Sequence, residues 1–489
     1  MNMLQNGSIF GPELGVLVVL IFHLLFDLFQ KIDPKKFVRS SVVGLLFVLV
    51  TLVQLWPHTD LSLYGMFRLN PLATLLKGIF TLSGIGVLLM AGEFSEKLGE
   101  RANDFCLIVL TALFGSFFLA SSNDLITLFI TIEWITISLY ILTSFLKNDL
   151  YSLEAGVKYL IVGAFSSALF LYGISLVYGA VGSLFFADIK TFLATGTSSF
   201  FTVGFFLILA GIGFKIAMFP FQLWVPDVYE GSPTPVTAFL SVISKTAGFV
   251  ALFKFLFLAV GTEWMNCPYL FLLLSPVTLI YGNLAALRQT NMKRLFAYSS
   301  IAHVGYLLMG IAVANRLGVE ATIYYLIAYA LSNSAAFLVI VIANRELGSG
   351  EISAYRGLAK KSPYLSGIFF IALLSLGGIP PLAGFFAKFL ILNAAVMKGY
   401  FWLALIGAVN VVIALYYYLS VVKEMYFSTK QTGGSASGGK QPSSKDEIQL
   451  STATRIFLFC LAAGIILLGV VQEPILQLVR LSTAALFLP

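Results

Sequence analysis

The chain has 489 residues, of which 59% are hydrophobic and only 11% are charged, and its mean hydropathy is +0.93. Soluble globular domains carry roughly 25% charged residues, so this composition excludes a water-soluble fold and indicates a polytopic membrane protein. The net charge of +7 does not indicate a nucleic-acid partner, because the basic residues lie in short segments between apolar stretches, where they set membrane topology.

Apolar stretches long enough to cross a bilayer recur along the whole chain. A membrane-spanning helix needs roughly 20 mostly apolar residues. The stretches that qualify, numbered here as spans 1 to 14, are 13–29, 40–56, 72–91, 105–120, 124–146, 155–179, 201–224, 235–258, 269–287, 295–314, 319–343, 364–396, 402–422 and 454–471. The sequence therefore predicts an all-α polytopic fold with about 14 transmembrane helices. Residues 121–123 alone separate spans 4 and 5, which should form a tight hairpin.

Basic residues are distributed unequally between the two sets of loops. Of the 30 Lys and Arg residues, twenty lie in segments that follow odd-numbered spans, and six lie in the opposite loops or the C-terminal tail. Those six are Arg68, Lys77, Lys190, Arg316, Lys398 and Arg480. Because cytoplasmic loops carry the excess of basic residues, we expect both termini on the outer, periplasmic side of a bacterial inner (plasma) membrane.

The stretch 209–236, LAGIGFKIAMFPFQLWVPDVYEGSPTPV, contains a helix that should break. It places Lys215 in the middle of an apolar helix, five residues before Pro220. Proline removes a backbone donor, and a lysine in an apolar helix is costly unless it has a function. We expect the helix to break at Pro220 and to continue towards Asp227, with a polar turn over 229–235.

Span 12 is interrupted in the same style. The residues GGIPP at 377–381 divide it, and Lys388 follows in the second half. Spans 7 and 12 are five apart, so they are equivalent in two five-helix repeats, spans 4–8 and 9–13. An odd number of spans forces the second repeat to be inverted. Paired broken helices in an inverted repeat indicate a transport site near the membrane midplane, whereas a packing kink is the alternative for either break alone.

The repeats predict the division of the chain into parts. Residues 1–104 hold the three N-terminal helices, 105–258 the first antiporter-like repeat and 259–430 the second, inverted one. Residues 431–450 are rich in Gly and Ser and should form a flexible cytoplasmic linker. Residues 451–489 hold the C-terminal helix and tail.

Glu133 is the acid that lies squarely within a span, in the middle of span 5. An isolated carboxylate there would be costly, and Lys215 is the natural counter-charge; a static ion pair between two helices is the alternative. Lys245 of span 8 is flanked by Ser244 and Thr246, which is consistent with a polar path that contains water. Lys254 lies nearer the outer end of span 8 and should extend to the membrane interface.

Lys388 and His303 complete the candidate set. A buried lysine can exchange protons where an arginine cannot, so lysine at three sites within spans favours proton handling. His303 lies in span 10, the repeat equivalent of span 5, and imidazole can relay a proton; a hydrogen-bonded structural histidine is the alternative. The predicted proton-transfer residues are therefore Glu133, Lys215, Lys245, His303 and Lys388, and the sequence shows no metal-ligand spacing or nucleotide loop.

Three segments carry a family resemblance: WVPDVYEGSPTPV (224–236), NMKRLFAYSSIAHVGYLL (291–308) and LLSLGGIPPLAGFFAKF (373–389). They resemble the antiporter-like membrane-arm subunits of respiratory complex I, the NADH:quinone oxidoreductase, and among these the subunit N type. The resemblance implies that the five residues named above form a hydrated axis for proton transfer. It also implies partners among the other membrane-arm subunits, within the lipid bilayer.

The resemblance further implies a subunit of a proton-translocating enzyme with no redox centre of its own. NADH, FMN, iron–sulfur clusters and quinone are expected elsewhere in the complex, and no cofactor is expected on this chain. Two alternatives stay open at this point: a cation/proton antiporter subunit, which shares the lysines and broken helices, and a purely structural scaffold.

Overall fold

The computed structural model describes residues 10–30, 32–56, 60–261, 269–427, 448 and 450–486. The linker predicted at 431–450 lies almost entirely outside these residues. Within them the regular secondary structure is helical apart from one short antiparallel hairpin, in which β1 (Leu61–Leu63) pairs with β2 (Phe67–Leu69).

The helices follow the predicted spans, which keep their numbers. Their bounds are span 1 Gly11–Phe29, span 2 Pro34–Leu55, span 3 Pro71–Glu93, span 4 Ala102–Ser121, span 5 Leu125–Thr143, span 6 Leu150–Val181, span 7 Ser199–Ile216 with Val225–Gly231, span 8 Thr234–Val260, span 9 Tyr269–Ala286, span 10 Met292–Ala312, span 11 Arg316–Leu347, span 12 Pro363–Gly377 with Ala383–Met397, span 13 Phe401–Tyr426 and span 14 Thr452–Val470. Short helices lie between or after them at Ser95–Leu98, Gly99–Arg101, Phe186–Thr195, Ile352–Tyr355, Leu358–Lys361, Glu473–Thr483 and Ala484–Leu486.

Thirteen helices within the described residues are long and apolar enough to cross a membrane. The two halves of span 12 are each too short alone and together supply the fourteenth crossing. The prediction of an all-α polytopic membrane fold is therefore confirmed. The tight hairpin of spans 4 and 5 is confirmed as well, since span 4 ends at Ser121 and the Asp124 carboxylate caps the first turn of span 5.

Burial differs sharply between spans, and this difference locates the polar interior. Span 8 is buried along its whole length, and spans 10 and 11 are almost completely buried, whereas spans 1, 2, 6 and 14 bury only about a third of their residues or fewer. Polar side chains on spans 8, 10 and 11 therefore face other helices and not lipid, as the cost of exposing them to a bilayer requires.

The two breaks share one backbone geometry. The first half of span 7 ends at Ala217 with φ +63°, and the first half of span 12 ends at Gly378 with φ +90°. In both, the next N–H bonds the carbonyl five residues earlier, at 2.9 Å in span 7 and 3.0 Å in span 12. In both, a cis peptide bond then precedes a proline, Pro220 or Pro381. Ala217 and Gly378 are thus equivalent positions of the two repeats.

Two details predicted for span 7 are wrong. Lys215 lies in the last turn of its half-helix and not in the middle, because the left-handed Ala217 ends the helix before Pro220 is reached. The predicted turn over 229–235 is partly helical, because Pro226, in the first turn of Val225–Gly231, favours a new helix. Only Ser232 and Pro233 then separate this helix from span 8.

Span 8 contains two π-helical segments, Leu240–Ser244 and Lys254–Val260, around the α-helix Lys245–Phe253. Both of its lysines therefore lie where α- and π-helix meet. Such π-bulges widen the helix locally and occur frequently at functional sites.

Candidate proton-transfer site

A buried ion pair joins spans 5 and 7. Lys215 Nζ lies 3.1 Å from Glu133 Oε1, and the two side chains are 4% and 17% exposed. Lys215 also donates to Thr136 Oγ1 at 3.0 Å, while Ser167 of span 6 donates to Glu133 Oε1 at 2.7 Å. The pairing expected from the sequence is therefore present in the structure, with hydroxyl groups around both charges.

The helix break explains why Lys215 can be charged there. Its half-helix ends at Ile216, so the carbonyl groups of the last turn are directed towards the break and carry partial negative charge. Gly248 of span 8 packs directly on this end, since a Cβ at Gly248 would lie 2.5 Å from Ile216 Cγ2. The close approach brings span 8 and Lys245 next to the Lys215 end of span 7.

Lys245 reaches across to span 10. Its Nζ donates to Ser300 Oγ at 2.7 Å and lies 5.9 Å from the centre of the Tyr229 ring. The side chain is 2% exposed, and Ser300 lies one helical turn before His303. The hydroxyl of Ser300 therefore connects span 8 with the histidine of span 10.

His303 lies between two tyrosines of other spans. Its Nδ1 lies 2.7 Å from the Tyr325 hydroxyl of span 11, and its Nε2 lies 3.2 Å from the Tyr418 hydroxyl of span 13. Both ring nitrogens thus have a hydroxyl partner that can give or take a proton. The same contacts also fix the ring, so the relay and the structural interpretations both fit this geometry.

Lys388 uses the second break. Its Nζ donates to the carbonyls of Leu376 at 2.8 Å and Gly377 at 2.9 Å, the last two residues of the first half-helix of span 12. A small cavity separates Lys388 from His303, with Ser332 and Ser375 in its wall. Lys215 precedes its break in the chain, whereas Lys388 follows its own break. The ammonium groups of both nevertheless lie at the C-terminal end of a half-helix, where a cation is stabilised.

The five predicted residues lie on neighbouring spans of the buried interior, and we call them the polar row. The order is Glu133, Lys215, Lys245, His303 and Lys388, with Ser300 and the serine-lined cavity between the later members. Among the described residues, no group of three or more His, Cys, Asp or Glu side chains could hold a metal ion. The absence of a bound cofactor stays a prediction.

Two lysine placements predicted from the sequence are wrong. Lys77 is not a loop residue: it lies in span 3, is fully buried and pairs with Glu13 of span 1. Lys254 does not extend to the interface: it is 6% exposed, and its Nζ donates to the Ser122 carbonyl. The sequence did not lead us to Glu13 as a buried partner of a lysine. The signal that could have indicated it is an acid in the first turn of an apolar helix.

The 224–236 segment anchors the second half of span 7. Asp227 pairs with Lys158 of span 6 at 2.7 Å and with Arg294 of span 10 at 2.9 Å, and Glu230 pairs with Arg294 at 2.8 Å. These bridges connect spans 6, 7 and 10 on the face opposite the beginning of span 1 and hold the short helix in place.

The sequence and the fold of the chain are similar to those of known proteins. Residues 122–414 match the model of the NADH:quinone oxidoreductase/Mrp antiporter transmembrane family. The chain belongs to this family. The family match covers spans 5 to 12, the first half of span 13 and all five residues of the polar row, and it confirms the resemblance found in the sequence.

Relatives of the family match over most of their length. NAD(P)H-quinone oxidoreductase subunit 2 of Thermosynechococcus vestitus is 39% identical over 428 residues, 87% of this chain and 83% of that protein. NADH-quinone oxidoreductase subunit N of Moorella thermoacetica is 38% identical over 426 residues, 87% of each chain. A chain of respiratory complex I from Thermus thermophilus with bound aureothin superposes with a TM-score of 0.80 at 29% identity, covering 96% of this chain and 100% of that one.

Proposed function

We propose that the chain is a proton-translocating membrane-arm subunit of an NADH:quinone oxidoreductase. The observation that carries the proposal is the buried Glu133–Lys215 pair at a helix break, continued by Lys245, His303 and Lys388. The relatives named above, which are subunits of quinone oxidoreductases, support the choice of enzyme.

The row works by coupled electrostatics. Glu133 stabilises the protonated form of Lys215, and weakening of that pair releases the proton towards Lys245. From Lys245 the proton passes by Ser300 and His303 to Lys388, whose ammonium group donates hydrogen bonds to the carbonyls at the end of the half-helix. Because neighbouring members interact strongly, the row titrates as a set and not residue by residue.

The energy must come from outside the chain. Moving one charge against the membrane potential takes about 2.3 kcal/mol per 100 mV, and the row contains no group that could supply it. Quinone reduction elsewhere in the complex supplies the energy, through contacts with other antiporter-like and small membrane subunits. NADH, FMN, iron–sulfur clusters and quinone belong to those other subunits, so this chain holds no redox centre.

The chain is a multi-pass membrane protein, and we place it in the bacterial inner membrane with both termini on the periplasmic side. The excess of basic residues in the segments after odd-numbered spans supports this orientation. The face that holds the beginning of span 1, the β1–β2 hairpin and the turn between spans 4 and 5 is then the outer face.

The test is Lys215→Ala in the assembled complex, with quinone-linked proton uptake into proteoliposomes as the measurement. We expect proton transport to be lost while the complex still assembles. Lys398→Ala, which removes an exposed lysine, is the matched control and should transport normally. Full transport by an assembled Lys215→Ala complex would overturn the proposal.

Co-purification separates this function from that of a stand-alone antiporter, since the family contains both kinds of protein. We expect subunits of a quinone oxidoreductase to co-purify with the tagged chain. Recovery of a small antiporter complex without them would contradict the proposal.

A further inference from the structure

A charged cavity of about 620 Å³ opens at one end of the helix bundle, between spans 2, 3 and 14. Spans 2 and 14 begin beside it, and span 3 ends beside it. The ends of transmembrane helices mark the edge of the hydrocarbon core, so the cavity lies at the level of the lipid headgroups. No residue of the polar row lines it.

One wall of the cavity is a cluster of charges that the protein satisfies by itself. Glu93, the last residue of span 3, accepts from Arg345 Nη1 at 2.6 Å and from Thr454 Oγ1 at 2.7 Å. Arg345 Nη2 also lies 3.0 Å from Glu346 Oε1. These contacts connect spans 3, 11 and 14, and the cluster needs no ligand.

Three other charged side chains line the cavity and form no ion pair with a described residue. They are Lys35 and Arg39 of span 2, and Glu96 of the short helix that follows span 3. Lys35 and Arg39 are four residues apart on a helix, so they lie on one face and can contact the same anion. A ligand in the cavity therefore meets two cationic groups and one anionic group.

An apolar cavity lies deeper in the membrane along the same span. Leu89 of span 3 lines the charged cavity, whereas Ile79 and Leu82 line a second, small cavity together with Leu461 of span 14. Leu82 precedes Leu89 by two helical turns, so the second cavity lies about 10 Å deeper on the same face of span 3. Leu82 is 40% exposed, although most of span 3 is buried.

The packing of the helices leaves a groove between spans 2 and 14. Span 2 packs against spans 1 and 3, whereas span 14 packs mainly against spans 11 and 12 and only lightly against span 3. Phe457 of span 14 covers Gly86 between the two cavities, since a Cβ at Gly86 would lie 3.3 Å from its ring. The groove thus joins a charged end at the membrane interface to an apolar end within the hydrocarbon core.

We propose that this groove binds a phospholipid whose phosphate is followed by a primary ammonium group, which is the chemistry of phosphatidylethanolamine. Lys35 and Arg39 bind the phosphate, Glu96 binds the ammonium group, and one acyl chain follows span 3 towards Leu82. Arginine and lysine recognise phosphate, and basic pockets between transmembrane helices bind lipid headgroups. The lipid fills the gap between spans 2 and 14, and its binding does not depend on proton transfer.

Glu96 is the residue that selects the headgroup. Lys35 and Arg39 can bind the phosphate of any phospholipid. Phosphatidylcholine carries methyl groups in place of the ammonium hydrogens, so its headgroup cannot donate a hydrogen bond to a carboxylate. Phosphatidylglycerol has no cation to pair with Glu96. Phosphatidylethanolamine should therefore bind more strongly than either.

The experiment is photolabelling of the assembled complex in proteoliposomes. Three probes carry a diazirine in the same acyl chain and have ethanolamine, choline or glycerol headgroups, and the labelled peptides are identified by mass spectrometry. We expect the ethanolamine probe to label residues 79–89 and 453–461 most strongly. Equal labelling by all three probes, or stronger labelling by either of the others, would overturn the assignment.

A double variant tests the phosphate partners. Lys35→Gln with Arg39→Gln removes both cations, and labelling of these peptides by the ethanolamine probe should fall about fivefold or more. Lys36→Gln, the matched control, removes an exposed neighbouring lysine that does not line the cavity, and labelling should stay unchanged. Wild-type labelling of the double variant would show that no headgroup site exists.

Glu96→Gln decides the matter if the double variant does not assemble. We expect labelling by the ethanolamine probe to fall to the level of the choline probe, and labelling by the choline probe to stay unchanged. A preference for ethanolamine that persists in Glu96→Gln would contradict the proposal.

Competition distinguishes a lipid from a soluble phosphate compound. Glycerophosphoethanolamine has the same headgroup without acyl chains, and an excess of it should leave labelling intact. A fall in labelling to the level of the double variant would show that the cavity takes a free solute, which would overturn the lipid assignment.

Discussion

The charge of Glu133 should control whether Lys215 can hold a proton. Glu133→Gln keeps the size and shape of the side chain and its contact with Ser167, but removes the negative charge that lies 3.1 Å from the ammonium. We expect the variant complex to assemble and to transport protons at least about tenfold more slowly than the wild type.

The magnitude follows from the distance. Two unit charges 3.1 Å apart interact by about 5 kcal/mol at an effective dielectric constant of about 20. Because the Glu133 side chain is 17% exposed, solvent screens part of this interaction energy, and we take about half of it as the energy that remains. A loss of about 2.5 kcal/mol in the stability of protonated Lys215 corresponds to well over a tenfold change in its population.

The assay is NADH-driven acidification of proteoliposomes, recorded together with NADH oxidation. Glu133→Asp keeps the charge on a shorter side chain and should retain part of the transport. Glu154→Gln removes an exposed carboxylate that pairs with Lys158 and should have no effect. Transport by Glu133→Gln at the wild-type rate would refute the electrostatic account of the pair.

Three further predictions test other parts of the structure. Lys388→Met removes the ammonium that donates to two carbonyls at the second break, and we expect normal assembly with no proton transport in proteoliposomes; normal transport would favour a structural scaffold. Gly384→Ala places a Cβ 1.8 Å from the Ser375 carbonyl oxygen, so thermal unfolding of the complex should reveal a loss of about 1–3 kcal/mol, and an unchanged midpoint would show that the break adjusts freely. A hydrogen bond from Arg68 lowers the pKa of Asp60, so their pair stabilises the hairpin above the usual aspartate pKa of about 3.9 and this stability is lost as pH falls through the lowered value. Because the pair is partly exposed, Asp60→Asn should cost less than about 1 kcal/mol in thermal unfolding at pH 7 and progressively less as the pH is lowered, and a cost that does not change with pH would contradict the ionic origin.

Hydropathy and charge were sufficient to predict the fold, because a long apolar segment that crosses a bilayer forms a helix. Each span must satisfy its own backbone hydrogen bonds, so length and apolarity identify a helix without any knowledge of its neighbours. The breaks were equally visible, since Pro220 and Pro381 each remove a backbone donor and disfavour a continuous helix.

The position of each break within its span was less predictable. The half-helix of span 7 ends at Ala217, which adopts a left-handed conformation that alanine rarely favours. The surrounding packing imposes this helix end. The sequence around Pro220 therefore predicted that the helix breaks, but not the residue at which it ends.

Pairings between distant spans were the hardest to predict. Glu133 and Lys215 could be matched because each was the conspicuous charge of its span. Glu13 and Lys77 lie near helix ends, where a charge ordinarily reaches water. Only the packing of spans 1 and 3 against their shared neighbours, spans 2 and 4, buries them. Lys254 was misplaced for the same reason, because other helices surround the end of span 8.

The central claim is that Lys215 carries a proton and is not simply a fixed positive charge. Lys215→Arg separates the two possibilities, because arginine preserves the ion pair with Glu133 but does not release its proton. The measurement is the number of protons transported per NADH oxidised by the assembled variant complex. The account predicts a ratio well below that of the wild type, and a ratio equal to it would contradict the claim.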